Sequence, residues 1–322
     1  MKKKIKNYRF ADSIYHQIKP LFKLDNYHCW LAFGEDWLVI CFAIWISYCS
    51  WYFYPLTVIL IGSHQRALAT LLHEASHHTI AKNRTLNFIM GTFLSGYLIV
   101  QSMSSYRKSH VEEHHAHLGV PEKDPDYQFA ISQGLYKQMD TKTFCWRYII
   151  APLLLFKMPQ YLKSLLTNRL LEQNYLEVFA MVAWWLIIIS VSVLGNLWQY
   201  LILFWLIPYV TVFQIIGWFV ELAEHYPLMD NYVTLYMSRN RNSHFIERLL
   251  TGIHNENYHL VHHLFPSIPF WNIPKAHKIL MQDPNYAQYD SQSGGIVWSN
   301  NNAPSILVTF DHSRPIVIGK KQ

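Results

Sequence analysis

Charged residues are scarce in this chain of 322 residues, since Asp, Glu, Lys and Arg together make up 15% of it, against about 25% in an ordinary soluble domain. Cysteine is also rare, and four residues are too few for the disulfide framework of a small secreted protein. Hydrophobic residues account for 51% of the chain and aromatic residues for 16%, which excludes an intrinsically disordered protein. The composition therefore favours a folded protein with large apolar surfaces.

Long stretches without charge indicate that these apolar surfaces face lipid. The stretch from Val178 to Val220 contains no Asp, Glu, Lys or Arg, and Trp37 to Ser63 is a second such stretch. One helix needs about 20 residues to cross a bilayer core, so the first stretch is long enough for two helices with a turn at Gly195 and Asn196. We therefore predict an all-α integral membrane protein with four transmembrane helices in two hairpins. These helices cover residues 37–53, 55–78, 177–194 and 198–222.

The basic residues predict the orientation in the membrane. Two hairpins place both termini and the segment between the hairpins on one side, and of the 27 Lys and Arg residues only Arg66 lies outside those three segments. Such an excess marks the cytoplasmic side, so the net charge of +6 requires no nucleic-acid partner. We predict a cytosolic N-terminal segment, a membrane domain whose cytosolic helical cap holds the functional site, and a cytosolic tail with two short strands. The bounds are 1–36 for the N-terminal segment, 37–280 for the membrane domain with its cap at 79–176 and 223–280, 281–322 for the tail, and 306–310 and 315–318 for the strands.

Histidine is the residue whose placement is most informative. The chain has 18 histidines, and eleven of them lie in three short clusters, His73–His78, His110–His117 and His254–His263. Isolated histidines, among them His64 and His244, are predicted to be surface or interfacial residues. Imidazoles four residues apart share a helix face and can bind one centre. Eight or more histidine ligands exceed the three or four of a single zinc site, so the clusters predict two metal ions or a metal cluster. Zinc, copper, iron and nickel all suit imidazole.

All three clusters fall on the predicted cytoplasmic side, and His225 lies at the same depth, where the fourth helix leaves its apolar stretch. Ionisable residues at such a boundary mark a functional site. Glu221 shares a helix face with His225, so we predict that it orients that imidazole. The same outer role is predicted for Glu74, Glu112, Asn255 and Glu256. Four basic residues near the clusters are candidates for contacts to a substrate headgroup, the alternative being solvated interfacial charges: Arg107, Lys108, Arg239 and Arg241.

The clusters resemble the histidine boxes of the membrane fatty acid desaturase and hydroxylase superfamily. The boxes are His73-x3-His77, His110-x3-His114-His115 and His259-x2-His262-His263, and the resemblance covers about residues 37–280. It implies a cytosolic non-haem di-iron centre with two Fe ions and dioxygen (O2) as co-substrate. It also implies a separate electron donor, a ferredoxin or a cytochrome b5 with its reductase, because the His-Pro-Gly-Gly motif of members with a fused cytochrome b5 domain is absent. The implied reaction introduces a double bond into a fatty acyl chain linked to a membrane lipid, to CoA or to an acyl carrier.

The resemblance also implies which histidines bind the metal. Members usually have a further histidine between the second and third boxes, and His225 fits that role. The implied ligands are His73, His77, His110, His114, His115, His225, His259, His262 and His263. Three histidines that flank the boxes are secondary candidates: His78, His117 and His254.

Other functions stay open at this point. A hydroxylase or ketolase of the same superfamily, acting on a carotenoid or another lipid, begins with the same hydrogen abstraction, so histidine spacing cannot separate it from a desaturase. His73-Glu74-Ala-Ser-His77 satisfies the H-E-x-x-H signature of zinc proteases, but one zinc site would leave two clusters without a role. A metal transporter would need ionisable residues within its spans, and the fourth predicted helix has none before Glu221.

Overall fold

The computed structural model describes residues 3–167 and 174–310, and within those residues the chain is helical, with isolated bridges but no strand. It divides into two compact units. Among the described residues, the span unit comprises 24–109, 155–167 and 174–218, and the histidine-rich unit comprises 3–23, 110–154 and 219–310.

The α-helices are numbered in chain order. They are α1 Asp12–Ile18, α2 His28–Cys49, α3 Tyr54–Ser76, α4 Arg84–Ile99, α5 Met103–His117, α6 Pro125–Ser132, α7 Thr141–Phe144 (continued by a π-helical turn Cys145–Ile150 and by Ala151–Leu153), α8 Met158–Leu166, α9 Tyr175–Leu194, α10 Trp198–Asp230, α11 Phe245–Thr251, α12 His259–Leu264, α13 Ile273–Leu280, α14 Pro284–Ser291 and α15 Ile306–Thr309.

Among residues 3–167 and 174–310, three helices, α2, α9 and α10, are long and apolar enough to cross a membrane. The pair α4 and α5 passes the same test together but is bent by 97° at its break, so it is a broken span or a re-entrant loop. The span predicted over 55–78 does form a helix, α3, but α3 is not among these candidates and carries His64, Gln65 and Arg66 in its middle. Three to four apolar helices thus support a membrane protein, and the two-hairpin arrangement stays a prediction.

Polar side chains hold α3 against α2 inside the span unit. His64 Nδ1 lies 2.8 Å from Asp36 Oδ1, and both residues are buried. The prediction of a surface role for His64 is therefore wrong, because a carboxylate eight residues into α2 supplies a buried partner that spacing along the chain does not reveal. Gly62 lets α3 approach α10 closely, since a Cβ there would lie 2.6 Å from Val212 Cβ.

The break between α4 and α5 leaves carbonyl groups that need donors. Val100 adopts a left-handed conformation, with φ of 56°, and ends α4. The carbonyl oxygens of Tyr97, Leu98 and Ile99 accept hydrogen bonds from side chains of α9 and α10. The three donors are Trp185 Nε1 to Tyr97 at 2.7 Å, Trp205 Nε1 to Leu98 at 3.0 Å and the Tyr209 hydroxyl to Ile99 at 2.8 Å. Tyr97 and Ile99 are buried, and a buried carbonyl without a donor is costly, so indole and phenol groups supply the hydrogen bonds.

The core of the histidine-rich unit joins the N-terminal segment to the C-terminal helices. Phe10, Ile14 and Ile18 of the N-terminal segment pack with Leu260 and Val261 of α12. Helices α13 and α14 complete this cluster. The N-terminal segment is thus part of the frame that supports α12.

The predicted strand at 306–310 is wrong, since Ile306–Thr309 forms the helical turn α15. The amides of Ile306 and Leu307 donate to the carbonyl oxygens of Gly295 and Ile296. These carbonyl groups bind the two amides that would otherwise need a partner strand. The strand predicted at 315–318 lies outside the described residues.

Trp185→Phe should lower the thermal stability of the protein in detergent, because it removes the donor from a buried carbonyl. A buried polar group left without its partner costs about 1–3 kcal/mol. The matched control is Trp184→Phe, the same change at the neighbouring residue, whose indole nitrogen has no hydrogen-bond partner among residues 3–167 and 174–310. Equal melting temperatures for the two variants would contradict a role for the Trp185 bond.

Candidate metal centre

The histidine-rich unit brings together seven of the predicted ligands. The second box lies on the last turns of α5, the third box forms most of α12, and His225 lies near the end of α10. Helix α12 has only six residues, His259 to Leu264, so its three histidines occupy nearly two turns and point over a wide arc.

These histidines form two groups. The ring nitrogens of His110, His115 and His262 lie within 4.8 Å of one another. His115 Nε2 is 3.0 Å from His262 Nε2 and 3.1 Å from His110 Nε2. Two nitrogens that each bind one ion at about 2.1 Å are separated by about 3 Å when they bind at right angles. The spacing in this group fits a shared metal ion.

The second group contains His114, His225 and His263, whose ring nitrogens also lie within 4.8 Å of one another. His259 joins this group, because its Nε2 lies 2.8 Å from His225 Nε2 and 2.9 Å from His263 Nε2. His114 Nε2 is buried and has no hydrogen-bond partner in the described part of the chain. A buried ring nitrogen in this situation is suited to metal coordination.

Burial affects the charge of His263 in this second group. It lowers the pKa of His263 well below the usual value, and the neighbouring imidazoles, with His115 first among them, lower it further. His263 is therefore neutral near pH 7, which is the form that binds metal.

Asp124 fixes the orientation of His114. Its Oδ1 lies 2.8 Å from His114 Nδ1, and neither side chain is exposed. The carboxylate also accepts the backbone N–H groups of Gly119, Asp126 and Tyr127 at 2.7 to 3.2 Å. Burial alone would raise the pKa of Asp124, but His114 and these hydrogen bonds lower it overall. The ionised carboxylate thus accepts from Nδ1 and leaves Nε2 of His114 for a metal.

Glu224 plays the corresponding part for His259. Its Oε2 lies 3.3 Å from His259 Nδ1, and its Oε1 lies 3.1 Å from both Nε and Nη2 of Arg241. Arg241 is fully buried and also faces Glu256 Oε2 at 3.9 Å. Arg241 and Glu256 thus face each other, and the headgroup contact of Arg241 and the imidazole contact of Glu256 stay predictions.

The other predicted site residues of the histidine-rich unit make different contacts. His225 Nδ1 lies 3.2 Å from the carbonyl oxygen of Met237, while Glu221 acts electrostatically on His114. Asn255 donates to the carbonyl of Phe270, and the His254 ring packs on the Phe270 ring. Arg239 is buried and donates to the carbonyl of Tyr226. Glu112 is exposed, and His117 is half-buried on the last turn of α5.

The first box lies at the end of α3 in the span unit. The rings of His73 and His77 are 4.9 Å apart, as their four-residue spacing predicts. His73 Nδ1 lies 3.4 Å from Glu74 Oε1, and Glu74 accepts a hydrogen bond from the Thr79 hydroxyl. The buried Glu74 carboxylate is thus placed to orient His73.

Three further predicted residues lie in the span unit. His78 adopts a left-handed conformation, and its Nδ1 lies 3.5 Å from the Asn87 amide. Arg107 donates to the carbonyl of Ser76, and Lys108 is exposed.

Asp124 and Glu224 are the functional candidates that the sequence did not identify. Metal-binding histidines usually donate their second ring N–H to a carboxylate or a carbonyl, so acidic residues near the boxes were the signal. Asp124 follows the second box by several residues and Glu224 directly precedes His225, yet neither has a fixed helical spacing to the histidine that it faces.

Comparison with known proteins points to one family. A family model described as fatty acid desaturase matches residues 50–292. The chain is 39% identical over 311 residues to dihydrorhizobitoxine desaturase of Bradyrhizobium elkanii, an alignment that covers 93% of this chain and 88% of the relative. It is 24% identical to an sn-1 acyl-lipid omega-3 desaturase (ferredoxin) of Nostoc sp. (strain 36), covering 78% and 73%. It is 26% identical to an endoplasmic reticulum omega-3 fatty acid desaturase of Vigna radiata var. radiata, covering 72% and 66%.

Asp124→Ala should destabilise the histidine-rich unit strongly. The change removes the acceptor of four hydrogen bonds and breaks a buried pair, which costs about 3–5 kcal/mol. Denaturant unfolding followed by circular dichroism would measure the loss. The control is Asp140→Ala, which removes an exposed carboxylate that accepts from the amide and hydroxyl of Thr143. Its loss should be much smaller, and equal losses at the two positions would contradict the role of Asp124.

Proposed function

The chain belongs to the fatty acid desaturase family, and on that premise we propose that it is a dioxygen-dependent, non-haem di-iron desaturase. The family makes it an oxidoreductase. The observation that carries the proposal is that His225 and the six histidines of the second and third boxes form two groups. In each group the ring nitrogens are spaced for one ion. A zinc protease with H-E-x-x-H would use only the first box, so the two groups favour the desaturase over that alternative.

The proposed ligands are divided between the two groups. His110, His115 and His262 would hold one ion, and His114, His225, His259 and His263 would hold the other. His73 and His77, the ligands predicted from the first box, remain in the proposed set. An iron pair bound there would supply the redox chemistry for breaking an unactivated C–H bond, which amino-acid side chains cannot provide.

The protein's own residues prepare this site. Asp124 and Glu224 face the Nδ1 atoms of His114 and His259, so each imidazole could keep its Nδ1 proton and offer Nε2 when a metal ion binds. Arg241 balances the charge of Glu224. In the overall reaction two hydrogens leave adjacent carbons, and one O2, two electrons from the external donor and two protons complete the formation of two waters.

We further propose the membrane arrangement predicted from the sequence, with four spans in two hairpins and the metal centre on the cytoplasmic side. The domain bounds 1–36, 37–280 and 281–322 are part of this proposal. The apolar helices α2, α9 and α10 correspond to three of the four proposed spans, and α3 would be the remaining one. A ferredoxin is the proposed electron donor, because the name of the Nostoc relative includes one, and a cytochrome b5 with its reductase is the alternative.

The substrate has two candidates. The Bradyrhizobium relative is named for dihydrorhizobitoxine and matches nearly the whole chain at 39% identity, which favours that compound or a close analogue. A fatty acyl chain, predicted from the sequence, is favoured by the names of the more distant relatives. An apolar cavity of about 370 Å³ in the span unit, lined by side chains that include Trp185, Trp205 and Tyr209, also suits a hydrocarbon chain.

Expression in a bacterial host with known lipids, with and without added dihydrorhizobitoxine, should separate these candidates. Mass spectrometry would detect a product lighter by two hydrogens, formed only with dioxygen and an added reductase and ferredoxin. A product heavier by one oxygen would instead identify a hydroxylase.

The His262→Ala variant should be inactive while its helices stay folded, because their backbone hydrogen bonds do not depend on metal. Full activity in that variant would contradict the proposal.

Purified protein should contain about two irons per chain, since one ion cannot use all of the proposed histidines. His225→Ala should lower the iron content, because it removes a ligand from the second group. His244→Ala is the control, since His244 stacks on Trp298 and caps α11 outside both groups. Metal analysis that finds the same iron content in both variants, or one zinc and no iron in the parent protein, would overturn the ligand assignment.

A further inference from the structure

Helix α12, which carries the third box, begins without a capping side chain of its own. Its N-cap residue is Tyr258, which makes no side-chain capping bond. The first-turn amides of Leu260 and Val261 instead donate to Oδ1 of Asn240, at 3.0 and 3.4 Å. Asn240 is therefore a remote cap for this helix. Unpaired first-turn amides weaken any helix, and a helix of six residues is too short to be stable without tertiary support.

The nitrogen of the Asn240 side-chain amide is held by helix α14. Its Nδ2 donates to Asp290 Oδ1 at 2.7 Å and to the Tyr286 hydroxyl at 2.8 Å. All three side chains are buried. The amide thus uses both N–H groups of Nδ2 as donors and accepts two hydrogen bonds at Oδ1. If the amide were flipped, its N–H groups would face the N–H groups of α12. The orientation of Asn240 is fixed by α14 and by the amides of α12 together.

The partners of Asn240 are themselves held. The Asp290 carboxylate accepts from the Asn242 amide through Oδ2 at 3.3 Å. The Tyr286 hydroxyl lies 2.8 Å from His277 Nδ1, and a histidine ring can either donate to a hydroxyl or accept from it. The network therefore ties α13 and α14 to the start of the helix that presents His259, His262 and His263.

We propose that Asn240 is a positioning residue for the third histidine box, and that Asp290 of α14 aligns it. This inference rests on the proposed metal centre. A functional site needs its side chains held within about 0.5 Å of the productive geometry, and α12 moves three proposed ligands as one body. Helix α14 thereby supports metal binding, although none of its side chains belongs to either histidine group.

An exchange of the two polar groups tests the proposal. Asn240→Asp keeps an acceptor for the amides of α12 but places a second carboxylate against Asp290. Repulsion between the two carboxylates should move the side chain at position 240 away from the start of α12. Adding Asp290→Asn restores a donor: the new amide can give its N–H to position 240 and accept from Asn242 with its oxygen. Tyr286 can then donate its hydroxyl proton to position 240.

The readout is Co²⁺ binding to the full-length, metal-free protein in detergent under anaerobic conditions, followed by visible absorption. We expect Asn240→Asp to weaken Co²⁺ binding by about 10-fold or more, as loss of outer support does at other metal sites, and to shift the absorption band. The double variant should recover most of the affinity and the parent spectrum. The control Asn285→Asp makes the same change at an exposed position of α14 that contacts Tyr8, and it should leave both unchanged.

Unchanged Co²⁺ affinity in Asn240→Asp, or no recovery in the double variant, would overturn the inference. If Asn240→Asp alone does not fold, the double variant decides, because only a true pairing of positions 240 and 290 restores both folding and the spectrum. Failure of the metal centre itself is distinguished by the parent protein: a parent that binds no more Co²⁺ than His262→Ala refutes the proposed function rather than the role of Asn240.

Discussion

An imidazole that offers Nε2 to a metal must give its Nδ1 proton to another acceptor, and the histidine-rich unit is organised around that requirement. Asp124 meets His114, Glu224 meets His259, and the carbonyl of Met237 meets His225. Each acceptor lies on a different segment of the chain. The turn after α5, the end of α10 and the loop after it must therefore fold together before the ring nitrogens can converge.

Burying these carboxylates has an energetic cost, which the surrounding groups offset. Asp124 accepts three backbone N–H groups besides the imidazole, so its charge is stabilised by dipoles in a turn that is closed by Gly119. Glu224 is stabilised by the guanidinium of Arg241, a planar donor that suits a carboxylate better than lysine does. The two solutions differ because Asp124 lies in a tight turn with free amides, whereas Glu224 lies within a helix whose amides are already paired.

The sequence predicted the helices and the histidine spacing better than the contacts between segments. Box histidines four residues apart, such as His73 and His77, share a face because helical geometry is local. The long charge-free stretches predicted both ends of α9 and the start of α10, but α10 continues to Asp230, eight residues beyond the predicted end at 222. The partners of His114 and His64 were missed, because Asp124 and Asp36 reach them through tertiary packing. The strand predicted at Ile306 failed for a related reason: its β-branched and apolar residues suit a strand, but the nearby loop at Gly295 supplies acceptors for a single helical turn.

The same requirement for satisfied polar groups governs the span unit, with a different solution. Where α4 breaks, its last three carbonyls have no helical partners, and side chains of α9 and α10 donate hydrogen bonds to them. These donors are indole and phenol groups, which combine one N–H or O–H with a large apolar ring, so they satisfy the carbonyls without adding charge. The same rings line the apolar cavity. The residues that close the break therefore also shape the cavity proposed to suit a hydrocarbon chain, which links the geometry of α4 to the choice between the two candidate substrates.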